Sequence, residues 1–262
     1  MPPLPRLIGM VHLGPLPGAP RFDGDFDTVV ARAVSDAEVL AASGFEGIGV
    51  ENFGDAPFFR DDVPKVTIAA MTRAIAEVAK AVRLPVGVNV LRNDACGALA
   101  IAAATSAAFI RVNVLSGSMW TDQGLIIGKA ADVLRLRKTI APDTKILADV
   151  FVKHATPPPG ATLEQAAEEL AGRGLADALI VSGTATGRPP TITTLRDARN
   201  AVPDVPLYVG SGASAGNVAQ FLAVADGVIV GTTLKLGSHT TNPVDPERAR
   251  AFADAGRRAL AS

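Results

Sequence analysis

The sequence contains very little cysteine and few aromatic residues, and both shortages exclude classes of protein. Its single cysteine, Cys96, cannot form an internal disulfide or supply the thiolates of a cysteine-based zinc site. Aromatic residues make up 5% of the 262 residues and the net charge is −1, so the chain offers neither the stacking surface nor the basic surface typical of nucleic-acid binding. We therefore expect no nucleic-acid partner.

Long hydrophobic runs are also missing. No uncharged stretch reaches the roughly 18–20 apolar residues that a membrane-spanning helix needs. The opening MPPLPRLIGM does not combine a basic start with a long apolar segment, as a signal peptide would. We expect a cytoplasmic protein without an integral membrane segment. The composition, 48% hydrophobic and 19% charged, is that of an ordinary globular chain with a large core.

Short β-branched segments alternate along the whole chain with helical patterns. The predicted strands are 7–13, 47–52, 85–90, 109–114, 145–150, 178–183, 206–212 and 227–232. The predicted helices are 26–43, 66–82, 94–104, 128–140, 162–173, 191–201, 214–224 and 246–261. Eight strand–helix units predict an α/β protein with one closed (β/α)8 TIM barrel spanning residues 1–262. An open doubly wound sheet is the alternative, but no GxGxxG motif opens the first helix.

Four predicted strands carry polar side chains near their carboxyl ends. Alternation at period two places valine and isoleucine on the helix-facing side, and Glu51, Asn89, Asn113 and Asp149 on the side facing the barrel interior. Because active sites of this fold lie at that end of the barrel, the four side chains are expected to meet at one pocket. An internal ion-pair network is the alternative, with Arg111 neutralising Glu51 or Asp149.

The segment KILADVFVKH (145–154) ends in three groups that can transfer protons or hold anions. We expect Asp149 to act as a general base or to stabilise an oxocarbenium ion, and Lys153 to hold a phosphate or an oxyanion. His154 would be the second acid–base group, with Glu51 and Asn113 completing the catalytic set. A Schiff base on Lys153 is less favoured, because nothing in the sequence shows that its pKa is lowered. An exposed loop amine and a loop-capping histidine are the alternatives.

Glycine-rich turns follow the last two predicted strands, in VGSGAS (209–214) and VGTTLK (230–235). In (β/α)8 barrels these loops frequently form a phosphate site, helped by close backbone approach and by a helix N-terminus. Ordinary turn chemistry is the alternative reason for glycine there. The turn SGTATG (182–187) would complete the site. The predicted phosphate-binding residues are Gly210, Ser211, Gly212, Gly231 and Thr232, with Ser182, Thr184 and Thr186 from the third turn.

Further strand ends and loops supply candidates for contacts with the rest of a substrate. Asn89 and His12 end their strands, and Trp120 and Asp122 lie in SGSMWTDQG (116–124). Trp120 would stack on a base or sugar, or simply pack its loop, and Asp122 would bind a ribose hydroxyl.

Carboxylates raise the question of a metal ion. Glu51, Asp55 and Asp149 offer the oxygen ligands that divalent cations prefer. Their spacing is not diagnostic of a metal site, so a divalent cation remains an alternative. No cofactor is predicted.

Six phrases near the strand ends, in order, resemble the BtpA/SgcQ family. They are IGMVHLGPLPGAPRF (8–22), ENFGDAPF (51–58), LPVGVNVLRNDA (84–95), FIRVNV with TDQG (109–124), ILADVFVKHA (146–155) and ALIVSGTATG (178–187). The similarity covers residue 7 to about residue 237 and implies a ribulose-phosphate-binding-type (β/α)8 barrel. The polar positions that the family shares fall on His12, Glu51, Asn52, Asp55, Asn89, Arg92, Asn93, Asp94, Asn113, Thr121, Asp122, Asp149, Lys153 and His154.

The resemblance leaves two functions open. Members labelled as sugar or nucleotide enzymes imply an enzyme acting on a phosphorylated sugar or nucleotide-like molecule, as a lyase, an isomerase or a glycosyl-cleaving enzyme. The namesake is tied to photosystem I accumulation at thylakoid membranes, which implies a non-catalytic assembly factor. Analogy with the family also leaves peripheral membrane association open, and the sequence leaves a homo-oligomer open for either function. We favour the enzyme, because an assembly factor does not need Asp149, Lys153 and His154 together at a strand end.

Overall fold

A computed structural model describes residues 3–183 and 188–261, and it contains a closed barrel of eight parallel strands. The strands in these ranges are β1 Leu7–His12, β2 Gly47–Glu51, β3 Val86–Asn89, β4 Phe109–Val112, β5 Ser118–Thr121, β6 Gly124–Ile127, β7 Lys145–Asp149, β8 Ala155–Thr156, β9 Ala178–Val181, β10 Leu207–Val209 and β11 Gly227–Val230. The barrel order is β1-β11-β10-β9-β7-β4-β3-β2. The predicted (β/α)8 fold is confirmed.

Helices connect the barrel strands on the outside. Within the described ranges they are α1 Phe26–Ser43, α2 Lys65–Ala81, α3 Ala95–Thr105, α4 Ala130–Ile140, α5 Leu163–Gly172, α6 Ile192–Ala201, α7 Val218–Leu222 and α8 Pro246–Ala261. The predicted start of α5 is confirmed, because the side chain of Thr162 accepts a hydrogen bond from the Gln165 N–H at 3.3 Å. None of the helices in these ranges is long and apolar enough to cross a membrane.

The barrel has two separate apolar cores, as the alternation of strand residues predicts. Outward-facing residues such as Ile48, Val88 and Ile110 pack against the helices in one large cluster. The barrel interior is filled by a second cluster that includes Phe109. A Cβ on Gly87 would lie 2.0 Å from the Phe109 ring, so a glycine in β3 is needed to leave the interior to this ring.

A small antiparallel sheet lies beyond the barrel strands and was not predicted. Strands β5 and β6 form a hairpin, and β8 pairs with β5. Val114, expected to face the helices, packs instead with Met119, Ile126 and Val152 beneath this sheet. The segment SGSMWTDQG after β4 is rich in glycine, serine and aspartate, which favour turns, so the sequence predicts a loop there.

Helix α7 is shorter than the predicted 214–224. The Asn217 Oδ1 accepts the Ser214 N–H at 2.7 Å, and its Nδ2 donates to the Gly212 carbonyl at 3.1 Å. These bonds hold residues 212–217 as a turn, so the helix begins at Val218 rather than near Ser214. The expected helix N-terminus therefore does not directly follow the glycine turn of 210–212.

The chain after β11 is fastened to α1 by a buried ion pair. Lys235 is fully buried, and its Nζ donates to Asp36 Oδ2 at 2.6 Å. Asp36 Oδ1 accepts the Val244 N–H at 2.7 Å, so one carboxylate anchors two points of the segment. A buried pair of this kind fixes position more than it adds stability. It holds the loop after β11 against the mouth of the barrel.

Candidate active site

Two adjoining cavities open at the carboxyl ends of the barrel strands. The smaller has a volume of about 480 Å³ and the larger about 1290 Å³, counting the space open to solvent at their mouths. The same five residues line both, and we call them the junction: His12, Glu51, Phe53, Arg111 and Lys153. The two cavities therefore adjoin at the junction.

Loop backbone forms the far wall of the smaller cavity. We call this wall the cradle, and it consists of residues 210–213 and 231–233. Thr233 Oγ1 donates to the Ala213 carbonyl at 2.7 Å, which joins the two loops. Ser211 Oγ accepts the Gly183 N–H at 3.1 Å and donates to the Arg188 carbonyl at 3.0 Å. These hydroxyls hold the loops in place, which leaves backbone as the main surface that a ligand would meet.

The structure brings the predicted residues Gly210, Ser211, Gly212, Gly231 and Thr232 together in this wall. A Cβ on Gly231 would lie 2.5 Å from His12 Cε1, so the glycine makes room for the histidine ring. Gly212 has a φ of +73°, a conformation that other residues rarely adopt. Both glycines are thus required by local geometry.

In the third predicted turn, residues 182–187, Ser182 contacts Asp149 instead of lining a cavity. Ser182 Oγ donates to Asp149 Oδ1 at 3.2 Å, and Ser182 is not among the described residues that line either cavity. Thr184 and Thr186 lie outside the described residues.

Glu51 is the carboxylate of the junction. It ends β2, is 5% exposed, and its Oε2 accepts a hydrogen bond from Asn89 Nδ2 at 2.5 Å. Its Oε1 lies 3.9 Å from His12 Nε2. Asn89 is thus behind Glu51 rather than in the cavity lining, and it fixes one carboxylate oxygen. The other oxygen is directed toward His12 within the junction.

Asp149 is almost fully buried, and its carboxylate is surrounded by hydrogen-bond donors. Arg111 donates from Nε and Nη2 to the two carboxylate oxygens at 2.9 Å each. Asn113 Nδ2 donates to Oδ2 at 2.9 Å, in addition to the Ser182 contact. Asp149 is not among the described residues lining the cavities, whereas Arg111 and Asn113 are. This geometry is the ion-pair network that the sequence offered as the alternative.

The charges of the junction follow from this network. Burial opposes the charge on Arg111, but Asp149 and then Glu51 outweigh it, and the pKa of Arg111 is raised. Burial and the nearby Arg111 lower the pKa of Lys153, although Glu51 and Asp149 act against the shift. A lowered pKa makes the Lys153 amine a better nucleophile or proton carrier near neutral pH. The reason for disfavouring a Schiff base at Lys153 therefore no longer holds.

His12 is held as a neutral imidazole. Burial lowers its pKa well below the usual value, and the positive charges of Lys235, Lys153 and Arg111 lower it further. Its ring packs edge-on against Phe53, with the two ring centroids 5.2 Å apart. A neutral ring beside Glu51 and Lys153 can donate or accept a hydrogen bond without adding charge.

The neutral state of His12 predicts how stability depends on pH. Below about pH 6.5 the unfolded chain takes up a proton at His12 that the folded chain does not, so stability falls by up to about 1.4 kcal/mol per pH unit. Urea unfolding at several pH values should show this decline in the native protein and a weaker decline in His12→Gln. His239→Gln, a control in the loop after β11, should behave as the native protein. The same decline in His12→Gln and the native protein would contradict the assignment.

His154 lies on the outer rim of the larger cavity. It is exposed, has a φ of +58°, and lines the cavity together with Lys153 and Asn113. Partial burial and the charges of Lys153 and Arg92 lower its pKa. Lys153, His154, Glu51 and Asn113 are thus brought to one cavity, as the sequence predicts.

Trp120 and Asp122 are not brought to the site. Both are exposed on the β5–β6 hairpin, Trp120 by 56%, and neither is among the described residues lining the two cavities. Trp120 lies opposite Leu125 and Thr156 in the register of the small sheet.

The polar positions shared with the resembling family do not all face a cavity. Several brace loop backbone instead of facing a cavity. Asn52 accepts the Leu91 N–H at 2.7 Å, and Asp94 accepts the N–H groups of Val63 and Gly97 at 3.0 and 2.7 Å. These residues position the loops after β2 and β3. The shared positions that line the cavities are His12, Glu51, Arg92, Asn113, Lys153 and His154.

The three carboxylates considered for a divalent cation are separated by their partners. Asp55 accepts the Leu16 N–H at 2.8 Å and a bond from Asn52, and Asp149 is paired with Arg111. Within residues 3–183 and 188–261, no three histidine, cysteine or acidic side chains are grouped so as to hold a metal ion.

Several residues of the larger cavity were not predicted. They are Arg21, Arg32, Phe53, Phe58, Arg92 and Thr241. Arg32 lies in the second turn of α1, and Thr241 lies beyond Lys235, where no motif marks a site. Arg92 had a signal in the sequence, since it is one of the polar positions shared with the resembling family.

The fold and the site define a (β/α)8 barrel whose carboxyl-terminal mouth carries two adjoining cavities that share charged residues. The chain belongs to the BtpA family, whose sequence model matches residues 5–258. It is 47% identical over 256 residues to Photosystem I biogenesis protein BtpA of Synechocystis, covering 98% of this chain and 89% of that protein. It is 49% identical over 248 residues to an uncharacterized protein of Thermococcus kodakarensis, covering 93% and 92% of the two chains.

Solved structures resemble this chain in fold alone. Thiamine phosphate pyrophosphorylase from Pyrococcus furiosus aligns with a TM-score of 0.60 at 14% identity, covering 97% of this chain and 96% of that one. N-(5'-phosphoribosyl)anthranilate isomerase from Pyrococcus furiosus aligns with a TM-score of 0.58 at 13% identity, covering 97% and 99%. Orotidine 5'-phosphate decarboxylase from Pyrococcus horikoshii gives 0.58 at 16% identity, covering 95% and 99%.

Proposed function

We propose that this protein is an enzyme that acts on a phosphorylated sugar or nucleotide-like small molecule by proton transfer. One observation carries the proposal: the cradle and the junction line the same cavity. A phosphate on the cradle backbone would place the attached carbons beside Glu51 and Lys153. We also propose that the enzyme is cytoplasmic, as the sequence predicts.

The residues of the junction would divide the work. Glu51, with one oxygen fixed by Asn89, would take a proton from the ligand and return it. Lys153 would stabilise the oxyanion that develops when that proton leaves, and Arg111 would offer it a guanidinium group held in place by Asp149. Asp149 would not touch the ligand in this scheme. It would position Arg111 and Asn113 through the bonds described above.

This division of roles supports an isomerase or a lyase, in which a proton is moved beside a carbonyl group. Ring opening or glycosidic cleavage needs the same acid–base pair. The names of the similar barrels, a thiamine phosphate pyrophosphorylase, a phosphoribosylanthranilate isomerase and an orotidine phosphate decarboxylase, support a phosphorylated substrate. A Schiff base on Lys153 is the alternative use of its amine.

A second candidate function is that of an assembly factor without catalysis. The 47% identity to Photosystem I biogenesis protein BtpA favours it. Such a factor would use the barrel as a scaffold and the cradle, at most, to sense a phosphorylated ligand.

A thermal-shift experiment with D-ribose 5-phosphate, AMP, D-ribose and inorganic phosphate tests the proposed function. A phosphorylated compound at about 100 times its dissociation constant should stabilise the protein by about 2.7 kcal/mol, while D-ribose should not. Gly231→Ala should lose the response, because its Cβ would meet His12. Gly216→Ala is the matched control, since the nearest atom to its Cβ, Ser214 Oγ, lies 3.9 Å away. A response to inorganic phosphate alone would favour the assembly factor.

A further inference from the structure

The larger cavity carries more positive charge than the proposed phosphate site explains. The described residues that line it include Arg21, Arg32, Arg92, Arg111 and Lys153, and a single carboxylate, Glu51. Arg111 is neutralised by Asp149. Without Arg111, four basic side chains and one carboxylate remain in the described lining, although the net charge of the whole chain is −1. A concave surface of one sign attracts ligands of the opposite sign.

Two of these arginines are held in place by groups that carry no negative charge. Arg92 is 5% exposed, and its Nη2 donates to the Lys153 carbonyl at 2.6 Å. Arg32 donates from Nη2 to the Thr241 carbonyl. These carbonyls orient the guanidinium groups, and among the described residues neither arginine forms an ion pair, although Asp149, Glu51 and Asp122 favour the charge on Arg92 from a greater distance. A buried charge such as that of Arg92 is costly without a directly paired counter-charge, and an anionic ligand would supply one.

Buried polar atoms without a partner occur in the same lining. Among the described residues of this lining, His12 Nδ1, Arg32 Nε, Arg92 Nε and Asn113 Oδ1 are buried and have no hydrogen-bond partner. Buried donors and acceptors are normally satisfied, so two free guanidinium donors in one cavity are a specific feature. Guanidinium groups bind phosphate and carboxylate oxygens with well-directed hydrogen bonds.

We propose that the larger cavity binds a second anionic group, a phosphate or a carboxylate, at the other end of the ligand held by the cradle. The substrate is then a small molecule with an anionic group at each end and the reacting carbons between them, at the junction. This inference rests on the proposed function, because it assigns the second end of the same ligand.

Calorimetric titration of the full chain tests this inference with two matched pairs of probes. D-Ribulose 5-phosphate is compared with D-ribulose 1,5-bisphosphate, and D-glucose 6-phosphate with 6-phospho-D-gluconate. The doubly anionic member of at least one pair should bind about tenfold tighter or more. The first pair reports a second phosphate and the second pair a carboxylate, so the result also identifies the group.

Variants locate the second anion. Arg92→Met should reduce the difference within a pair to about twofold and leave the singly phosphorylated probe nearly unchanged. Arg21→Met, at an exposed position, should reduce the difference in part even if Arg92→Met folds poorly. Arg83→Met, at the opposite end of the barrel before β3, is the control and should change neither affinity.

The outcomes separate this inference from the proposed function. Equal affinities within both pairs would overturn the second anion and leave the enzyme proposal intact. Equal losses for both members of a pair in Arg92→Met would also overturn it. Failure of all four probes to bind would overturn the second anion, and the absence of stabilisation by D-ribose 5-phosphate and by AMP as well would overturn the proposed function.

Discussion

Replacing Asp149 by alanine is expected to destabilise the protein by about 3–5 kcal/mol, because it leaves the buried charge of Arg111 without its partner. Arg111 and Asp149 are both nearly inaccessible to solvent, and two hydrogen bonds of 2.9 Å join them. Asn113 and Ser182 lose an acceptor in the same substitution. Chemical denaturation measures the loss directly, without knowledge of a substrate.

Two comparisons make the Asp149 experiment decisive. Asp254→Ala removes a surface ion pair with Arg257 on α8 and should cost less than about 1 kcal/mol. The double variant Arg111→Met with Asp149→Leu should recover a large part of the stability, because the buried charge is removed as well. Native stability in Asp149→Ala, together with lost turnover, would instead support the catalytic role predicted from the sequence.

The substitution Glu51→Gln is expected to lower kcat by about 10²–10⁴-fold, because glutamine cannot accept the proton. The side-chain oxygen of glutamine can still accept the Asn89 hydrogen bond, so the pocket should keep its shape. Affinity for the phosphorylated ligand should therefore change little. Turnover is measured with the compound that stabilises the protein most in the thermal-shift experiment.

Glu77→Gln on the exposed face of α2 is the control, since Glu77 contacts only Lys80 among the ion pairs described. Unchanged turnover in Glu51→Gln would remove Glu51 from the proposed mechanism. Borohydride reduction in the presence of the ligand separates the two uses of Lys153. A stable adduct on Lys153 indicates a Schiff base, and no adduct indicates an oxyanion-stabilising amine.

The barrel could be predicted from the sequence because eight short β-branched segments alternate with helical patterns along the whole chain. Ile48 and Val88 face the helices in the structure, as their positions predict. The hairpin of β5 and β6 escaped prediction because the glycine, serine and aspartate of residues 116–124 favour a loop. The early start predicted for α7 failed because the Asn217 side chain holds a turn that propensity does not reveal.

The site could be predicted only in part, because the sequence does not show which charged groups pair with each other. Position along a strand fixes which side chains reach the mouth, so Glu51 and the turn of 210–212 were identified. It does not fix which groups pair there. Asp149 and Glu51 look alike in the sequence, yet Arg111 binds Asp149, whereas Glu51 lines the junction. Arg32 comes from a helix face and carries no strand-end signal.

The central claim is that the cradle and the junction hold the two parts of one phosphorylated ligand. A crystal structure of the protein with bound D-ribose 5-phosphate tests it most directly. The account predicts the phosphate against the backbone of 210–213 and 231–233, with the sugar carbons beside Glu51 and Lys153. A phosphate bound elsewhere on the molecule, with both cavities empty of ligand, would contradict it.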